Sequence, residues 1–596
     1  MTRLGRFLRL AAALGVARRP VGGWRRLLRH LARSFARGGW RSAYGALIGL
    51  VAIGGRNRDR AYRRWLSEVE PDGVPREPSR LIVVAAPGDL DDAELGVLLP
   101  RLASCAFNDR VFLHARSPRA DSAIEMLAEA GVAAATTLGD FRPDATPVPG
   151  NCTGLVFLGT TSCPNPPALA ALSEAIEGGA DLVYGDADEI DLQGRRRRPR
   201  FKPGFTLDLF LYDDYLSDCV AVSPALLRKA GQWDFDDPHG TLLRWVSHAS
   251  RIEHVPVVAS HALRPPPAPD GPSATIGQFL KARHGDDAGL NVPGPSTPWQ
   301  CRFGADPRTR ACVVVPTRDR LDLLAPCVDT LYGTNDPDRI ELLVVDNGSE
   351  EPETRDWLAD LEKRNGVRVL GAQGRFNWSW LNNLAIEVGT AEVFVFLNND
   401  TESITEGWLD RLAEYALRPD AGAVGPLLLY HDGSIQHAGL VVGSGDLADL
   451  LYRGIRPSFD DHAFVSPLMP RNVAAVSGAC MAVSRRTIAK VGRFDERFPI
   501  SGDVEFCLRA HALGLANIYA ADVVLHHHES QTRARQTDPD DHRRLAALVA
   551  RRMPRDPFYN PNLAGIAGVG RGGPAFALLH ADTSPAHLAD AAANEQ

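Results

Sequence analysis

From Ala311 onward the chain alternates short unbroken apolar blocks with longer stretches whose apolar residues recur every three or four positions. The blocks read "ACVVVP", "ELLVVD", "VRVLG" and "VFVFLNND". Blocks of this length, rich in Val and bounded by polar residues, predict strands buried on both faces of a parallel sheet. The intervening "LDLLAPCVDTL" has helical spacing. Strands alternating with helices make this an α/β architecture. The last block ends abruptly in Asn398, Asn399 and Asp400. A carboxylate there either caps the next element or faces a ligand in the crevice beyond the strand ends.

A similar series comes earlier. "GLVFLGTTSCPNPPALAAL" aligns with "FVFLNNDTESITEGWLDRL" at a separation of about 240 residues, a domain-scale repeat. Gly159, Thr160 and Thr161 stand where the later copy has Asn398, Asn399 and Asp400. Threonine is a poor replacement for an anionic oxygen ligand, so the first copy is expected to keep the architecture without the chemistry. Between the two lie "LRPPPAPDGPSATIG" and "NVPGPSTPWQ", which place a boundary near residue 300. The expected organisation is a basic segment over 1–75, a degenerate domain over 76–300, a catalytic domain over 301–560 and a flexible tail over 561–596.

The candidate chemistry sits at strand exits. Asp400 would hold a divalent cation of the Mg²⁺ kind, which takes few protein carboxylates and completes its shell with water and phosphate oxygens. Such an ion stabilises a departing phosphate. Asp346 ends "ELLVVD" on the same rim, and Thr317 with Arg318 follows "CVVVP". A carboxylate there suits a base or ribose, and Arg318 suits a phosphate or an ion pair. In "SGDVEFCLRAHALGL" a helix starting at Ser501 or Gly502 would carry an apolar stripe of Phe506, Cys507, Ala510 and Leu513. Asp503 then points inward as a general base, or complements the helix dipole from the first turn. Glu505 lies on another side, is expected to form an exposed pair with Arg509, and supports the site from a distance. In "ADVVLHHHES", alternation puts His527 on the face of Val523 and Leu525, as a further metal ligand or as a hydrogen-bonded core histidine.

Composition narrows the setting. The 596 residues are 44% hydrophobic and 23% charged, as in ordinary globular proteins of several domains. Nine scattered cysteines without a C-x-x-C pair argue for a reducing, cytoplasmic compartment. The net charge of -7 hides an N-terminal segment with no acid before Asp59, whose Arg-, Leu- and Trp-rich stretches suit either an anionic membrane surface or a loose basic arm. The apolar run there is too short to span a bilayer. Aromatic residues are not interleaved with this charge, which argues against nucleic acid as a partner. No G-x-G-x-x-G follows a strand, so a nicotinamide oxidoreductase is a poor fit.

Together "VVVPTRDRLDLL", "LLVVDNGS", "FNWSWLNNLAI", "FVFLNNDTE", "GAVGPLLLYHDGSIQHAG", "AVSGACMAVSR", "GRFDERF", "DVEFCLR" and "LHHHES" resemble the family 2 glycosyltransferases of GT-A fold, especially the bacterial O-antigen and surface-polysaccharide type. The resemblance covers nearly all of 305–535. It implies two tandem GT-A (nucleotide-diphospho-sugar transferase, Rossmann-like) domains, the first degenerate. It also implies an inverting hexosyl- or deoxyhexosyl-transferase using Mg²⁺ or Mn²⁺, a nucleotide-sugar donor and a glycan or polyprenyl-linked acceptor. By this resemblance Thr317, Arg318, Asp346, Asn383, Asn398 and Asn399 bind the nucleotide sugar. Asp400 is the metal carboxylate of the D-x-D position, His527 matches the closing-strand histidine, Asp503 is the base and Glu505 supports it. Asn398 departs from the family's first Asp. The "GDADEID" of the first half, with Asp186 and Asp188, falls one helix and one strand too late to be a second D-x-D. The rival from another class is a non-catalytic glycan- or nucleotide-binding scaffold.

Overall fold

The computed structural model describes residues 79–563 and a helical fragment within 62–67, apart from a few single positions and stretches at 107–109, 115–119, 139–150, 265–271, 293–298, 444–446, 458–463 and 529–537. The expected basic segment (all but that fragment) and the tail beyond 563 lie outside the described residues.

The first half builds β1 (Leu81–Ala85), β2 (Arg110–His114), β3 (Ala134–Leu138), β4 (Gly154–Leu158), β5 (Ser162–Pro164), β6 (Leu182–Ile190), β7 (Arg196–Arg200), β8 (Cys219–Val222) and β9 (Ile252–Ala262). A hairpin of β10 (Ala288–Asn291) and β11 (Gln300–Phe303) follows. The second half contains β12 (Ala311–Thr317), β13 (Ile340–Asp346), β14 (Val367–Gly371), β15 (Val393–Leu397), β16 (Thr401–Ser403), β17 (Ala421–Leu429) and β18 (Ile435–His437). It is completed by β19 (Leu440–Val442), β20 (Ala448–Leu450), β21 (Arg471–Asn472), β22 (Cys480–Ser484) and β23 (Ala516–His527). The four apolar blocks read from the sequence are β12 to β15, and β15 is buried along its whole length.

The two sheets are wound identically. The first runs β3-β2-β1-β4-β8-β6-β9-β5 and the second β14-β13-β12-β15-β22-β17-β23-β16. Each has a parallel half, an antiparallel return (β8, β22) and one further parallel pair (β6·β9, β17·β23). The duplication aligned from the sequence is thus a duplication of topology, and the chain is two tandem GT-A-like α/β domains. Register extends it to single residues: Ser162 pairs with Ala262 in the first sheet where Thr401 pairs with His527 in the second.

The halves share core. One apolar cluster includes Phe157 and Trp245 of the first and Val313, Val395 and Trp408 of the second. Across the junction, buried Asp208 is bound by Arg418 and, at 2.6 Å, by Asn472. Residues 557–562 return to the first half, where Asn560 donates to Asp186 at 2.8 Å and Gly204 donates to the Pro557 carbonyl. Asp186 also accepts from the Lys202 backbone and His254, and Asp188 from Tyr62, Arg196 and His261. Both acids are buried and saturated structural groups, which agrees with setting them aside as a metal motif. Their segment is the strand β6. The basic run after it is the paired strand β7, whose Arg197 and Arg198 lie on Glu189. All nine cysteines are free.

Candidate active site

The opening is built where β15 leaves the sheet. Strand β22 runs antiparallel beside it, with Leu397 opposite Cys480, so the residues entering β22 meet the residues leaving β15. Asn398 N–H donates to the Ala479 carbonyl at 2.9 Å. One residue earlier, Gly478 N–H donates to Asp503 Oδ2 at 2.7 Å. Two groups about a hundred residues apart in sequence are thereby joined through a single dipeptide. The contact demands glycine: a Cβ on residue 478 would lie 2.7 Å from the Trp378 ring and 3.2 Å from Asp503 Cβ.

Asp503 stands in the first turn of the helix Gly502–Ala512. Burial raises its carboxyl to about 6, against the hydrogen bonds from Gly478 and Val504 N–H, and the nearby Asp541 charge adds to the rise. The predicted stripe holds for Phe506, Cys507 and Ala510, which are buried. Leu513 is exposed, because the helix stops at Ala512 and Leu513 is its cap. Glu505 does pair with Arg509, at 2.7 and 2.8 Å, but the expected exposure is corrected: Glu505 is 4% accessible, since the loop at Arg493 covers that side.

Asp400 is buried at the start of the short return β16, which the register sets beside the end of β23. His527 Nε2 lies 3.2 Å from Asp400 Oδ1. Val523, Leu525 and His527 are buried on one face, as alternation requires. Among the described residues the buried His527 Nδ1 has no hydrogen-bond partner, and the imidazole's polar contact is on the Asp400 side. One carboxylate and one imidazole facing each other fit a divalent ion whose remaining ligands are water and phosphate oxygens. Among the described residues no group of three His, Cys, Asp or Glu could hold a metal by itself. In the first half, Thr161 and Ala262 occupy the equivalent positions, and the equivalent helix Pro238–His248 begins Pro-His where this one begins Gly-Asp. The first copy lacks both donors and the acid.

On the neighbouring strand ends, Asn399 donates to Thr317 Oγ1 at 3.0 Å, and Asn347 N–H donates to the Thr317 carbonyl. Asp346 accepts from Ser349 N–H and Oγ at 2.8 and 2.6 Å, which fixes its carboxylate at the rim. Arg318 is half exposed and paired with the exposed Glu350, an arrangement that holds neither in place strongly. Asn383 is not on this rim. It is buried in the helix Trp378–Val388 and bonds Phe494 N–H, the Phe494 carbonyl and Glu496. The expected diphosphate contact there gives way to a role in holding the 494–496 loop.

His437 was missed by the sequence reading. Fully buried, it bonds the Pro426 carbonyl through Nδ1, and its Nε2 accepts from Ser477 N–H at 3.2 Å. Burial, with the charges of Arg471 and His527, lowers it to about 4, so it stays neutral and braces the turn that carries Gly478. Gly478 was missed as well. Both lie in quoted stretches, "QHAG" and "VSGAC", where a His or Gly beside buried strands was the available signal.

The description of Glycosyl transferase family 2 matches residues 312–491, which contain the β12–β15 rim and the β22 return. The chain is 33% identical over 429 residues to the O-antigen biosynthesis protein RfbC of Myxococcus xanthus, a match covering 68% of this chain but only 33% of that protein. It is 27% identical over 232 residues to an N-acetylglucosaminyl-diphospho-decaprenol L-rhamnosyltransferase of Mycobacterium tuberculosis, covering 34% of this chain and 70% of that one. Among solved structures, GalNAc-T7 with UDP, GalNAc and Mn²⁺ is similar over 48% of this chain and 60% of that one, at 14% identity and a TM-score of 0.35. The chain thus spans about a third of the Myxococcus protein. Topology and family match agree: the second half of this chain contains, over residues 312–491, a glycosyl transferase family 2 domain.

Proposed function

We propose that the second half is an inverting glycosyltransferase that moves a hexosyl or deoxyhexosyl group from a nucleotide sugar to a hydroxyl of a glycan or lipid-linked acceptor. The observation that carries this is the Asn398–Ala479 and Gly478–Asp503 hydrogen bonds, which tie the Asp400 end of β15 to the acid at the head of the 502–512 helix. Asp503 accepts the proton of the acceptor hydroxyl as that oxygen attacks the anomeric carbon. A carboxyl raised to about 6 suits the task, being ionised at neutral pH yet more basic than an open-water aspartate. Asp346 and Thr317 orient the nucleoside, and Asn398, Asn399 and Arg318 lie along the path of the diphosphate. Asp400 and His527 would hold a divalent cation, Mg²⁺ or Mn²⁺, which when bound supplies charge stabilisation to the departing nucleoside diphosphate. The Mycobacterium relative is named for transfer to a diphospho-decaprenol carrier, and we extend that acceptor class to this chain. The test is release of nucleoside diphosphate from a panel of nucleotide sugars, with and without EDTA. Release from no donor under any metal would return the protein to the scaffold reading.

Attachment to the inner face of the cytoplasmic membrane is part of the same proposal. Among the described residues no helix is long and apolar enough to cross a membrane. Removing residues 1–60 should shift the protein from the membrane fraction to the supernatant; an unchanged distribution refutes that role for the segment.

A further inference from the structure

Behind the 502–512 helix, on the side of Glu505, a cavity of about 660 Å³ opens between that helix, the 493–498 loop and the helix Pro539–Arg552. Its floor is apolar, formed by Phe498, Ala547 and Leu548. Six arginines line it against two carboxylates, Asp495 and Glu505. In a chain of net charge -7, such a concentration of one sign is a local feature.

The two carboxylates are already engaged. Arg497 binds Asp495 at 2.6 and 3.1 Å, and Arg509 binds Glu505 at 2.7 and 2.8 Å. Arg493 turns to Glu387, which does not line the cavity. On the 539–552 helix, Arg544, Leu548 and Arg551 fall at i, i+4 and i+7 and present one face to the opening. Among the described residues the Arg544 side chain bonds only a neutral group, the Arg497 carbonyl at 2.9 Å. The side chains of Arg551 and Arg552 have no ion pair or hydrogen bond among the described residues. Their position in the last helical turn accounts for their sign through the dipole. On the other two elements Arg493, Arg497 and Arg509 are each matched by a carboxylate, so the unmatched charge of the cavity belongs to Arg544, Arg551 and Arg552.

We infer that this cavity is an anion site that takes a phosphate or diphosphate group. Guanidinium forks match phosphate oxygens two at a time, and an apolar floor strengthens each such bond by excluding water. The volume is that of an ordinary small-molecule site. The inference goes beyond the transfer reaction and depends on neither Asp503 nor Asp400. The phosphate could belong to a soluble or carrier-borne diphosphate, or to the headgroups of an anionic membrane.

The test uses the full chain in EDTA, so that binding dependent on a metal at Asp400 is silent. Calorimetry with inorganic diphosphate forms one arm. Co-sedimentation with phosphatidylcholine vesicles, with and without phosphatidylglycerol, forms the other. The R551Q/R552Q variant, with R544Q as an independent second, removes cations without breaking an ion pair, and unchanged thermal melting verifies the fold. At least a tenfold loss of diphosphate affinity in the variants, with vesicle binding unaltered, identifies a diphosphate ligand. A matching loss on phosphatidylglycerol vesicles identifies headgroups. Residues 1–60 are common to wild type and variants, so their contribution cancels in that comparison. Equal binding of both probes by wild type and variants, or no binding of either by wild type, overturns the inference.

Discussion

Replacing Asp503 with asparagine should impair catalysis while leaving stability nearly unchanged at neutral pH. In the fold the carboxyl ionises near 6, against an ordinary value of 3.8. The folded state therefore holds the proton more tightly, and the stabilisation this provides is complete below about pH 4 and lost as pH rises through about 6. Above that point the half-buried charge disfavours the fold by at most about 3 kcal/mol. Asparagine removes the charge but retains one carbonyl oxygen where two carboxylate oxygens accepted from Gly478 and Val504 N–H. The abandoned N–H costs about 1–3 kcal/mol. At pH 7.5 the variant should thus be as stable as wild type or up to about 2 kcal/mol more stable, and at pH 4.5 less stable. Urea unfolding at the two pH values measures this crossing. Turnover, followed by nucleoside diphosphate release, should fall about 10²- to 10⁴-fold, and the wild-type rate should rise through pH 6. Turnover within a few-fold of wild type, or a wild-type rate flat from pH 5 to 7, would refute Asp503 as the base.

Three further outcomes follow from the same geometry. Asp400→Ala should abolish the metal-dependent part of donor binding; titration calorimetry showing equal affinity with and without EDTA in wild type would dismiss the cation. Gly478→Ala, with its Cβ 2.7 Å from the Trp378 ring, should cost about 1–3 kcal/mol in unfolding and reduce turnover by displacing Asp503. Arg418→Met leaves Asp208 buried between the halves with its charge unmatched, so unfolding should be easier by about 3–5 kcal/mol, and a wild-type denaturation midpoint would contradict a rigid junction.

What the sequence determined by itself was whatever depends on local periodicity. Val- and Phe-rich blocks bounded by polar residues read as sheet strands, so β12 to β15 were legible, as were the repeat and the polar groups at the strand exits; that β14 is a half-buried edge strand and not one buried on both faces was not. Alternation placed His527 with Val523 and Leu525, and helical spacing placed Asp503 and the Glu505–Arg509 pair. Long-range packing decided the remainder. The family resemblance assigned Asn383 to the nucleotide sugar, yet the 494–496 loop, more than a hundred positions later, claims its amide. Glu505 looked like a surface acid until the loop at Arg493 covered it. His437 and Gly478 carry no charge or pattern that marks them; they matter because an antiparallel return brings β22 beside β15, and only there does a missing side chain let Asp503 reach the backbone. Burial of a polar group is set by which distant segment packs over it, and that information lies in the tertiary structure, not in the spacing of residues along one element.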